Sequence, residues 1–471
     1  MHLGLGSFHR AHQAVYTARA IEQAGGSWGI VGLASSHPGI VEAMRRQDGR
    51  YSVLELGLAG PRVSVIAVHA ALLVAAADPE AVTARIADPR IRVVTVTVTE
   101  RGYTFDPRTR QLDTGNRDLA ADLAGGPPRT AIGRLAAGLL ARFATRAEPI
   151  ALVSCDNIPA NGMLLRNLIL EYLDRQTRSV TAEMRDWVAR DVAFPSTMVD
   201  RIVPRTTDEH RATVARLLGV HDEVVVPAEP YSIWVVEDRF PGGRPAWELA
   251  GARMGGEVER FEQLKLGLLN ATHSLVAYLG LLAGVPTIAQ AVAVSAIRQA
   301  AEHLMAVDVT PTLEPPAGID PSAYGDEVLA RFANPHTGHQ VRQVASDGAT
   351  KLPQRVGSAC RERLAHGALP AGFALLLAAY LRTMAIDDDN APAGGPLLVD
   401  PERTAIRAAA AAGRPIRQIA DEVFVRTGIV PGDVTGREEL LDLIAHLYTV
   451  LGTGGVDVAV RDAVGAARGG A

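Results

Sequence analysis

Apolar residues in the first half of the chain form short runs, and helical spacing follows each run. The runs at 28–33, 92–100 and 150–154 are rich in β-branched residues and predict buried strands. The segments 79–87 and 130–145 have the apolar spacing of helices. Strands that alternate with helices predict a mostly parallel, doubly wound α/β sheet.

From residue 256 onwards the pattern is almost wholly helical. The longest helical pattern covers 258–282 and contains no proline. A stretch rich in glycine and proline at 239–245 precedes this change. A chain of 471 residues is expected to form two domains. We therefore predict an α/β domain over 1–255 and a helical domain over 256–471.

A short apolar strand near the start of the chain runs into Gly4-Leu5-Gly6 and then into a helical pattern. This arrangement begins a Rossmann-like dinucleotide-binding fold, in which glycines let the backbone approach a pyrophosphate. The third glycine of the usual G-x-G-x-x-G pattern is absent, because His9 occupies its position. By pattern alone, a tight turn without a ligand is an equally good interpretation.

The next predicted strand ends in Ser35-Ser36-His37. In a dinucleotide-binding fold the residue at this point contacts the adenosine ribose, and an acidic residue there indicates NAD. Here the loop is neutral and rich in hydroxyl groups. From this loop alone the choice between NAD and NADP stays open. NAD is the expected cofactor, with NADP not excluded, and Ser36 is a candidate cofactor contact.

Lysine is almost absent from the chain, because only Lys265 and Lys351 occur among 47 lysine and arginine residues. A buried lysine can lose its proton and act as a base, which arginine cannot do at accessible pH. Lys265 shares its predicted helix with Asn270 and His273, and in an α-helix the three lie within about 140° of arc. One helix face would offer an amine, an amide and an imidazole to one ligand. A chance surface lysine is the structural alternative.

Composition and charge exclude several classes of function. The net charge is -5, and no basic tract indicates a nucleic-acid partner. Cys155 and Cys360 stand singly, without the spacing of zinc or redox sites, as expected of reduced thiols in a cytoplasmic protein. No apolar run is long enough to span a membrane, so no membrane partner is expected. No cluster has metal-ligand spacing, so no metal is predicted.

Taken together, segments spread over nearly the whole chain resemble the polyol-specific long-chain dehydrogenase/reductase family, which includes mannitol 2-dehydrogenase and fructuronate reductase. In this family the phosphate-binding pattern has the form G-x-G-x-F-H-R-A-H, so the missing third glycine is expected. The matching segments are Gly4-Leu5-Gly6-Ser7-Phe8-His9-Arg10-Ala11-His12-Gln13, 97–103, Ser154-Cys155-Asp156-Asn157, Asn161-Gly162, 194–204, 234–238, 243–248, 265–280, 347–348 and 351–353.

The resemblance implies an NAD(P)-dependent polyol dehydrogenase that works without a metal. Lys265 would be the general base that takes the hydroxyl proton. Asn161 and Asn270 would hydrogen-bond the substrate oxygen, and His273 would bind a substrate hydroxyl. An N-cap of the following helix is the structural alternative for Asn161.

The resemblance also implies residues that bind the substrate and the cofactor. Asp200 and Lys351 match positions that line the polyol pocket, and Arg342 is a guanidinium that could bind a carboxylate. The implied cofactor contacts are Gly4, Gly6, Phe8, His9, Arg10 and Ser36.

Fructuronate reductases of this family tend to carry arginines in the segments that align with 232–233 and 338–340, where this chain has neutral residues or histidine. Because a uronate carboxylate favours a guanidinium clamp, we expect a neutral polyol, above all D-mannitol interconverted with D-fructose. Fructuronate reduction, oxidation of mannitol 1-phosphate and a catalytically idle dinucleotide-binding protein are the alternatives. The expected assembly is a monomer or a weak homo-oligomer.

Overall fold

The structure is a computed structural model that describes residues 1–107, 109–176, 180–386 and 398–466. By its internal contacts the chain divides into two compact units, Met1–Glu259 and Arg260–Ala471. We call them the N-terminal unit and the C-terminal unit. Each has a hydrophobic core of its own.

The described strands lie in the N-terminal unit and are numbered in chain order. They are β1 His2–Leu3, β2 Ile30–Ala34, β3 Tyr51–Gly57, β4 Gly60–Ile66, β5 His69–Val74, β6 Val93–Val96, β7 Ile150–Ser154, β8 Val192–Ala193, β9 Thr197–Asp200, β10 Val226–Ala228, β11 Ile233–Val236 and β12 Arg253–Met254.

Six of these strands form one sheet in the order β5-β2-β1-β6-β7-β8, and every neighbouring pair is parallel. The predicted parallel α/β sheet is therefore confirmed. Its central strands are buried along their whole length, which explains their continuous apolar sequence. The strand order reverses at β1, and ligands of open α/β sheets bind beyond the carboxyl ends of the strands at such a point.

Two small sheets complete the strand structure of the N-terminal unit. In one, β3 and β4 form an antiparallel hairpin and β10 pairs in parallel with β3. In the other, β11 lies between β9 and β12. The helices of the unit are Ser7–Ala11, Gln13–Ala24, Gly39–Arg46, Pro79–Ala87, Thr99–Gly102, Arg117–Leu123, Ala131–Thr145, Asn161–Arg175, Ala182–Asp191 and Asp208–Leu218.

From Val258 onwards the described chain is helical, as predicted. Its centre is the helix Ala371–Ala385, which is apolar on nearly every face and almost fully buried. The α-helices are Val258–Leu264, Thr272–Leu282, Ile288–Ala293, Ser295–His303, Pro321–Phe332, Val341–Ala345, Gly348–Ala365, Ala371–Ala385, Arg403–Ala411, Ile416–Thr427, Arg437–Thr453 and Gly455–Ala466, with 3-10 turns at Thr310–Thr312 and Pro335–Thr337.

The predicted uninterrupted α-helix over 258–282 is wrong in its middle third. The chain there forms a π-helix, Lys265–Ala271, between the α-helices Val258–Leu264 and Thr272–Leu282. A second π-helix, Leu304–Val309, packs against it. Such π-helical turns are rare and are frequent at functional sites.

Three buried histidines lie together beside β1 in the N-terminal unit. The ring of His9 stacks on that of His2 with centroids 3.4 Å apart, and its Nε2 lies 3.2 Å from Nε2 of His69. The ring of His2 in turn hydrogen-bonds the hydroxyls of Thr95 and Thr97. Burial lowers the pKa values of His2 and His9 well below the ordinary 6.5, and it lowers the pKa of His69 to about 4.

Acid is expected to destabilise the N-terminal unit, beginning near pH 6.5. Each of the three histidines has a lower pKa in the folded than in the unfolded protein, so the unfolded protein binds more protons below that pH. Their contribution is therefore complete above pH 6.5 and is lost as the pH falls towards 4 and below. The loss amounts to about 1.4 kcal/mol per pH unit for each histidine.

Urea unfolding at a series of pH values measures this effect through tryptophan fluorescence. All four tryptophans of the chain lie in the N-terminal unit, so the signal reports on that unit. Replacement of His69 by phenylalanine should make the pH dependence between 6.5 and 4 less steep. A free energy of unfolding that stays constant or rises on acidification would contradict the assignment.

Candidate active site

A cavity of about 730 Å³ lies at the carboxyl ends of the parallel strands in the N-terminal unit. Gly4 follows β1, Ser35 and Ser36 follow β2, and Thr97 follows β6. The start of the helix Ala131–Thr145 forms the opposite wall. We call this space the strand-end cavity, and its volume is typical of sites for small molecules and cofactors.

The turn between Gly4 and Gly6 explains why glycine occupies both positions. Gly4 has φ +107°, and a Cβ atom there would lie 1.9 Å from the main-chain oxygen of Thr97. At Gly6 the backbone is extended, and the nearest atom to an added Cβ would be the Gly4 oxygen at 3.8 Å. Gly4 is therefore required by the fold, whereas Gly6 leaves open space above the turn.

Of the predicted cofactor motif, Gly4 lines the strand-end cavity, whereas Gly6, Phe8, His9 and Arg10 are not among its lining residues. His9 belongs to the histidine cluster and is fully buried. The Arg10 guanidinium donates to the main-chain oxygen of Val224 at 2.5 Å and lies over the ring of Tyr51. Phe8 stacks on His12. These residues hold the turn in place, and a direct contact to a cofactor stays a prediction for them.

Asp156 fixes the wall of the cavity that follows β6. Its carboxylate accepts hydrogen bonds from the main-chain N–H groups of Val98 and Thr99 and from the hydroxyl of Tyr103. Burial raises the pKa of Asp156, although these three donors lower it. The bonds tie the loop after β6 to the loop after β7, where Asp156 lies.

Asn161 is held by protein groups on both sides of its amide. Its Oδ1 accepts from the main-chain N–H of Thr197, and its Nδ2 donates to the main-chain oxygens of Thr197 and Asp156 at 2.9 and 3.1 Å. The N-cap interpretation is wrong, because Ala160 is the N-cap and Asn161 is the first helical residue. Thr197 begins β9, the strand that ends at the buried Asp200, so Asn161 fixes this strand. Its predicted bond to the substrate oxygen stays a prediction.

In the C-terminal unit, the π-helix carries both Lys265 and Asn270. A π-turn closes i→i+5 hydrogen bonds and so adds nearly one residue per turn. Residues five apart therefore lie more nearly one above the other than in an α-helix, where about 140° separates them. Lys265 is only 5% exposed. The π-helix thus makes the angle about the helix axis between Lys265 and Asn270 smaller than the angle predicted for an α-helix.

Arg355, on the neighbouring helix Gly348–Ala365, holds the end of this π-turn. Its Nη1 donates to the main-chain oxygen of Asn270 at 3.2 Å and to the Ser274 hydroxyl at 2.8 Å. The Ser274 hydroxyl also donates to the Asn270 oxygen. One carbonyl at the π-turn is therefore satisfied by a charged side chain from another helix.

His273 lies one turn further along, between two other rings. It stacks on Phe332 with centroids 4.5 Å apart and meets His339 edge-on at 4.9 Å. Burial, helped by nearby cations that include Lys351, lowers the pKa of His273 well below 6.5 and that of His339 to about 4. Both imidazoles are neutral at pH 7. Among the described residues, the buried Nε2 of His273 has no hydrogen-bond partner.

Lys351 lies near this pair of imidazoles. Lys351 Nζ donates to the main-chain oxygen of Ser346 at 2.8 Å, and its charge lowers the pKa of both His273 and His339. Arg342 follows His339 closely, in the helix Val341–Ala345, and its main-chain oxygen accepts from the Ser346 hydroxyl. Lys265 and Asn270 therefore lie on the π-helix and His273 on the helix that follows it, and Lys351 lies on the helix Gly348–Ala365, which packs against the π-helix.

Sequence reasoning missed three residues of these sites. Arg355 supports the π-turn, His339 contacts His273, and Arg134 lines the strand-end cavity. His339 carried a signal, because it lies in a segment that differs from fructuronate reductases. Arg134 and Arg355 carried none, since arginine is the common basic residue of this chain.

Two family models match the chain, one on each unit. The mannitol dehydrogenase Rossmann domain matches residues 1–249, and the mannitol dehydrogenase C-terminal domain matches residues 257–445. The chain belongs to the mannitol dehydrogenase family. This membership confirms the predicted family, the fold with a Rossmann-like N-terminal and a helical C-terminal domain, and an oxidoreductase that acts on CH–OH groups.

Relatives of this family member cover most of its length. The oxidoreductase YeiQ of Escherichia coli (strain K12) is 40% identical over 359 residues, which are 76% of this chain and 72% of that protein. The D-mannonate oxidoreductase of the same organism is 37% identical over 397 residues, 83% of this chain and 81% of that protein. A solved ternary complex of Pseudomonas fluorescens mannitol 2-dehydrogenase with NAD and D-mannitol has a TM-score of 0.86 at 30% identity and covers 98% of this chain and 94% of that chain.

Two features are absent from the described residues of this family member. No helix among them is long and apolar enough to cross a membrane. No group of three or more His, Cys, Asp or Glu residues within the same ranges could hold a metal ion.

Proposed function

We propose that this chain is an NAD-dependent polyol dehydrogenase that interconverts a neutral polyol and its ketose, with D-mannitol and D-fructose as the preferred pair. The observation that carries the proposal is the set of Lys265, Asn270 and His273 in the C-terminal unit. This set offers a buried amine, an amide and a neutral imidazole with an available nitrogen. The complex of a family relative with NAD and D-mannitol supports the cofactor and the substrate class.

The strand-end cavity fits a nicotinamide dinucleotide. Its volume suits a cofactor, and the open space above Gly6 allows the backbone to approach a pyrophosphate. When bound, the oxidised nicotinamide accepts a hydride from the alcohol carbon of the substrate.

The residues of the C-terminal unit would manage the proton of the same reaction. Lys265 is buried, and its Nζ takes the hydroxyl proton of the alcohol, for which a lysine amine must be in its neutral form. The Asn270 amide donates to the substrate oxygen as it becomes a carbonyl oxygen. Nε2 of His273 and the Lys351 ammonium bind further hydroxyls of the polyol. No step of this route needs a metal.

His339 supports a neutral substrate over a uronate. It touches the ring of His273 and is uncharged at pH 7, in a segment where fructuronate reductases tend to carry arginine. Fructuronate reduction is the second candidate, because one relative is a D-mannonate oxidoreductase and because the charges of Arg355 and Arg331 reach His273. The Arg355 guanidinium already donates hydrogen bonds to the main-chain oxygen of Asn270 and to the Ser274 hydroxyl.

We expect the purified protein to oxidise D-mannitol with a kcat/KM at least about tenfold higher than for D-mannonate. The measurement is NADH formation with D-mannitol, D-arabinitol, D-sorbitol, D-mannonate and mannitol 1-phosphate in turn. Replacement of His339 by arginine should improve the use of mannonate relative to mannitol, because it adds a guanidinium beside His273. Turnover of mannonate alone would contradict the neutral substrate. Binding of NADH without turnover of any alcohol would favour the idle dinucleotide-binding protein.

A further inference from the structure

The strand-end cavity has basic but no acidic side chains among its described lining residues. Two of its lining residues are arginines, Arg129 and Arg134. At the end of β2, the exposed Ser35 and Ser36 present hydroxyls where an acidic residue would repel a phosphate on the adenosine ribose. The Ser36 hydroxyl lies 3.0 Å from Nδ1 of His37.

Arg134 is the unusual member of this wall. It is 9% exposed, and its buried Nε has no hydrogen-bond partner in the part of the chain that the structure describes. A guanidinium has five N–H donors, and burial of an unpaired charge is costly. Burial lowers the pKa of Arg134, although the charges of Asp122 and Asp118 raise it. The guanidinium is therefore placed for an anion that the protein itself does not provide.

Neither Asp122 nor Asp118 forms a direct hydrogen bond or ion pair with the Arg134 guanidinium. The Asp122 carboxylate accepts from the main-chain N–H groups of Arg129 and Thr130 and from the Thr130 hydroxyl. Asp118 forms an exposed ion pair with Arg129 at 3.4 Å. Arg134 therefore differs from Arg129, which already has a partner.

The arginines that follow Ser36 in the sequence are committed elsewhere. The Arg45 guanidinium donates to the main-chain oxygen of Leu72 at 2.6 Å. Arg46 forms a two-bond ion pair with Glu223. If a phosphate on the ribose is recognised by a cation, Arg134 is the better placed group.

We propose that the strand-end cavity accepts a 2′-phosphorylated adenosine, so that the protein uses NADP(H) as well as NAD(H), with Arg134 and the hydroxyls of Ser35 and Ser36 as the phosphate ligands. The inference rests on the proposed function, because it concerns the specificity of the same dinucleotide site. A 2′-phosphate with a charge of about −2 forms stronger hydrogen bonds with a buried guanidinium than the neutral 2′-hydroxyl of NAD does.

Calorimetric titration of the whole protein with two cofactor fragments tests this without catalysis. Adenosine 2′,5′-bisphosphate should bind at least about tenfold more tightly than 5′-AMP. Replacement of Arg134 by methionine should remove that difference while it changes the affinity for 5′-AMP less than about twofold. Replacement of Arg129 by methionine is the control and should leave the preference in place, because Arg129 is exposed and paired with Asp118.

Three results would overturn the inference. The first is equal or weaker binding of the bisphosphate. The second is an equal loss for both fragments in the Arg134 variant, which would place Arg134 at the 5′-phosphate. The third result concerns Ser36→Asp, a variant at the exposed loop that decides the question if the Arg134 variant does not fold. An unchanged preference for the bisphosphate in Ser36→Asp would contradict the inference. Failure of 5′-AMP, the bisphosphate and NADH alike to bind would instead contradict the proposed dinucleotide site.

Discussion

Replacement of Lys265 by methionine is expected to lower kcat for mannitol oxidation by about 10³-fold, while the protein stays folded and still binds NADH. Lys265 is 5% exposed, and methionine fills a similar volume without an amine. The substitution therefore removes the proposed proton acceptor with little change in packing. Steady-state kinetics, NADH titration and urea unfolding of the variant measure the three parts of this expectation.

Lys351 provides a matched control, because it is the only other lysine of the sequence. Its Nζ binds the Ser346 oxygen, and we place it at a substrate hydroxyl, away from the proton transfer. Replacement of Lys351 by methionine should raise KM by about tenfold and change kcat much less. The two variants therefore separate a base from a residue that binds substrate.

The pH profile and chemical rescue give readouts that a structural role of Lys265 would not move. The rise of kcat/KM with pH that reports the base should be absent in the methionine variant. In Lys265→Ala, added methylamine should restore part of the turnover, because the amine can occupy the space of the lost side chain. A methionine variant with kcat within tenfold of the wild type and an unchanged pH profile would show that another group is the base.

The parallel sheet could be predicted because its strands are buried on both faces. The strands β6 and β7 are therefore runs dominated by Val, Ile, Leu, Ala and Thr, without charged residues. The helix Ala131–Thr145 was equally clear, because Thr130 caps it and its apolar face is regular. Local sequence decides these elements, so sequence reasoning finds them.

The π-helix could not be predicted in the same way, because one extra residue per turn hardly disturbs the spacing of apolar residues around Leu268. Its cause is tertiary. A Cβ atom at Gly267 would lie 2.5 Å from Cγ1 of Val309, on the second π-helix. Close packing of the two π-helices thus requires the glycine. A glycine inside a strong helical pattern was the one signal in the sequence.

The candidate site was predicted by residue type and resemblance, but its hydrogen bonds were not. Asn161 illustrates the difference, because its sequence position favoured a cap or a substrate contact. The structure instead uses both ends of its amide to join the loop after β7 to β9. Thr197 lies 36 residues from Asn161 in the sequence, beyond the reach of any local pattern.

The two glycines of the first turn should respond to alanine in opposite ways. Gly4→Ala is expected to destabilise the N-terminal unit by more than about 3 kcal/mol, because the backbone has a positive φ and the new methyl would meet the Thr97 oxygen at 1.9 Å. Gly6→Ala is expected to leave stability within about 1 kcal/mol of the wild type, because its backbone is extended and the nearest atom is 3.8 Å away.

Gly6→Ala should nevertheless weaken NADH binding by about tenfold or more, because a methyl would occupy the space through which the pyrophosphate approaches the backbone. Tryptophan-monitored urea unfolding measures the stability of both variants, and fluorescence titration with NADH measures binding by the Gly6 variant. Loss of binding in a stable Gly6→Ala protein would separate the ligand's requirement for glycine from that of the fold. Wild-type affinity in that variant would mean that the dinucleotide phosphates do not lie over this turn, and the proposed cofactor site would have to move elsewhere along the strand ends.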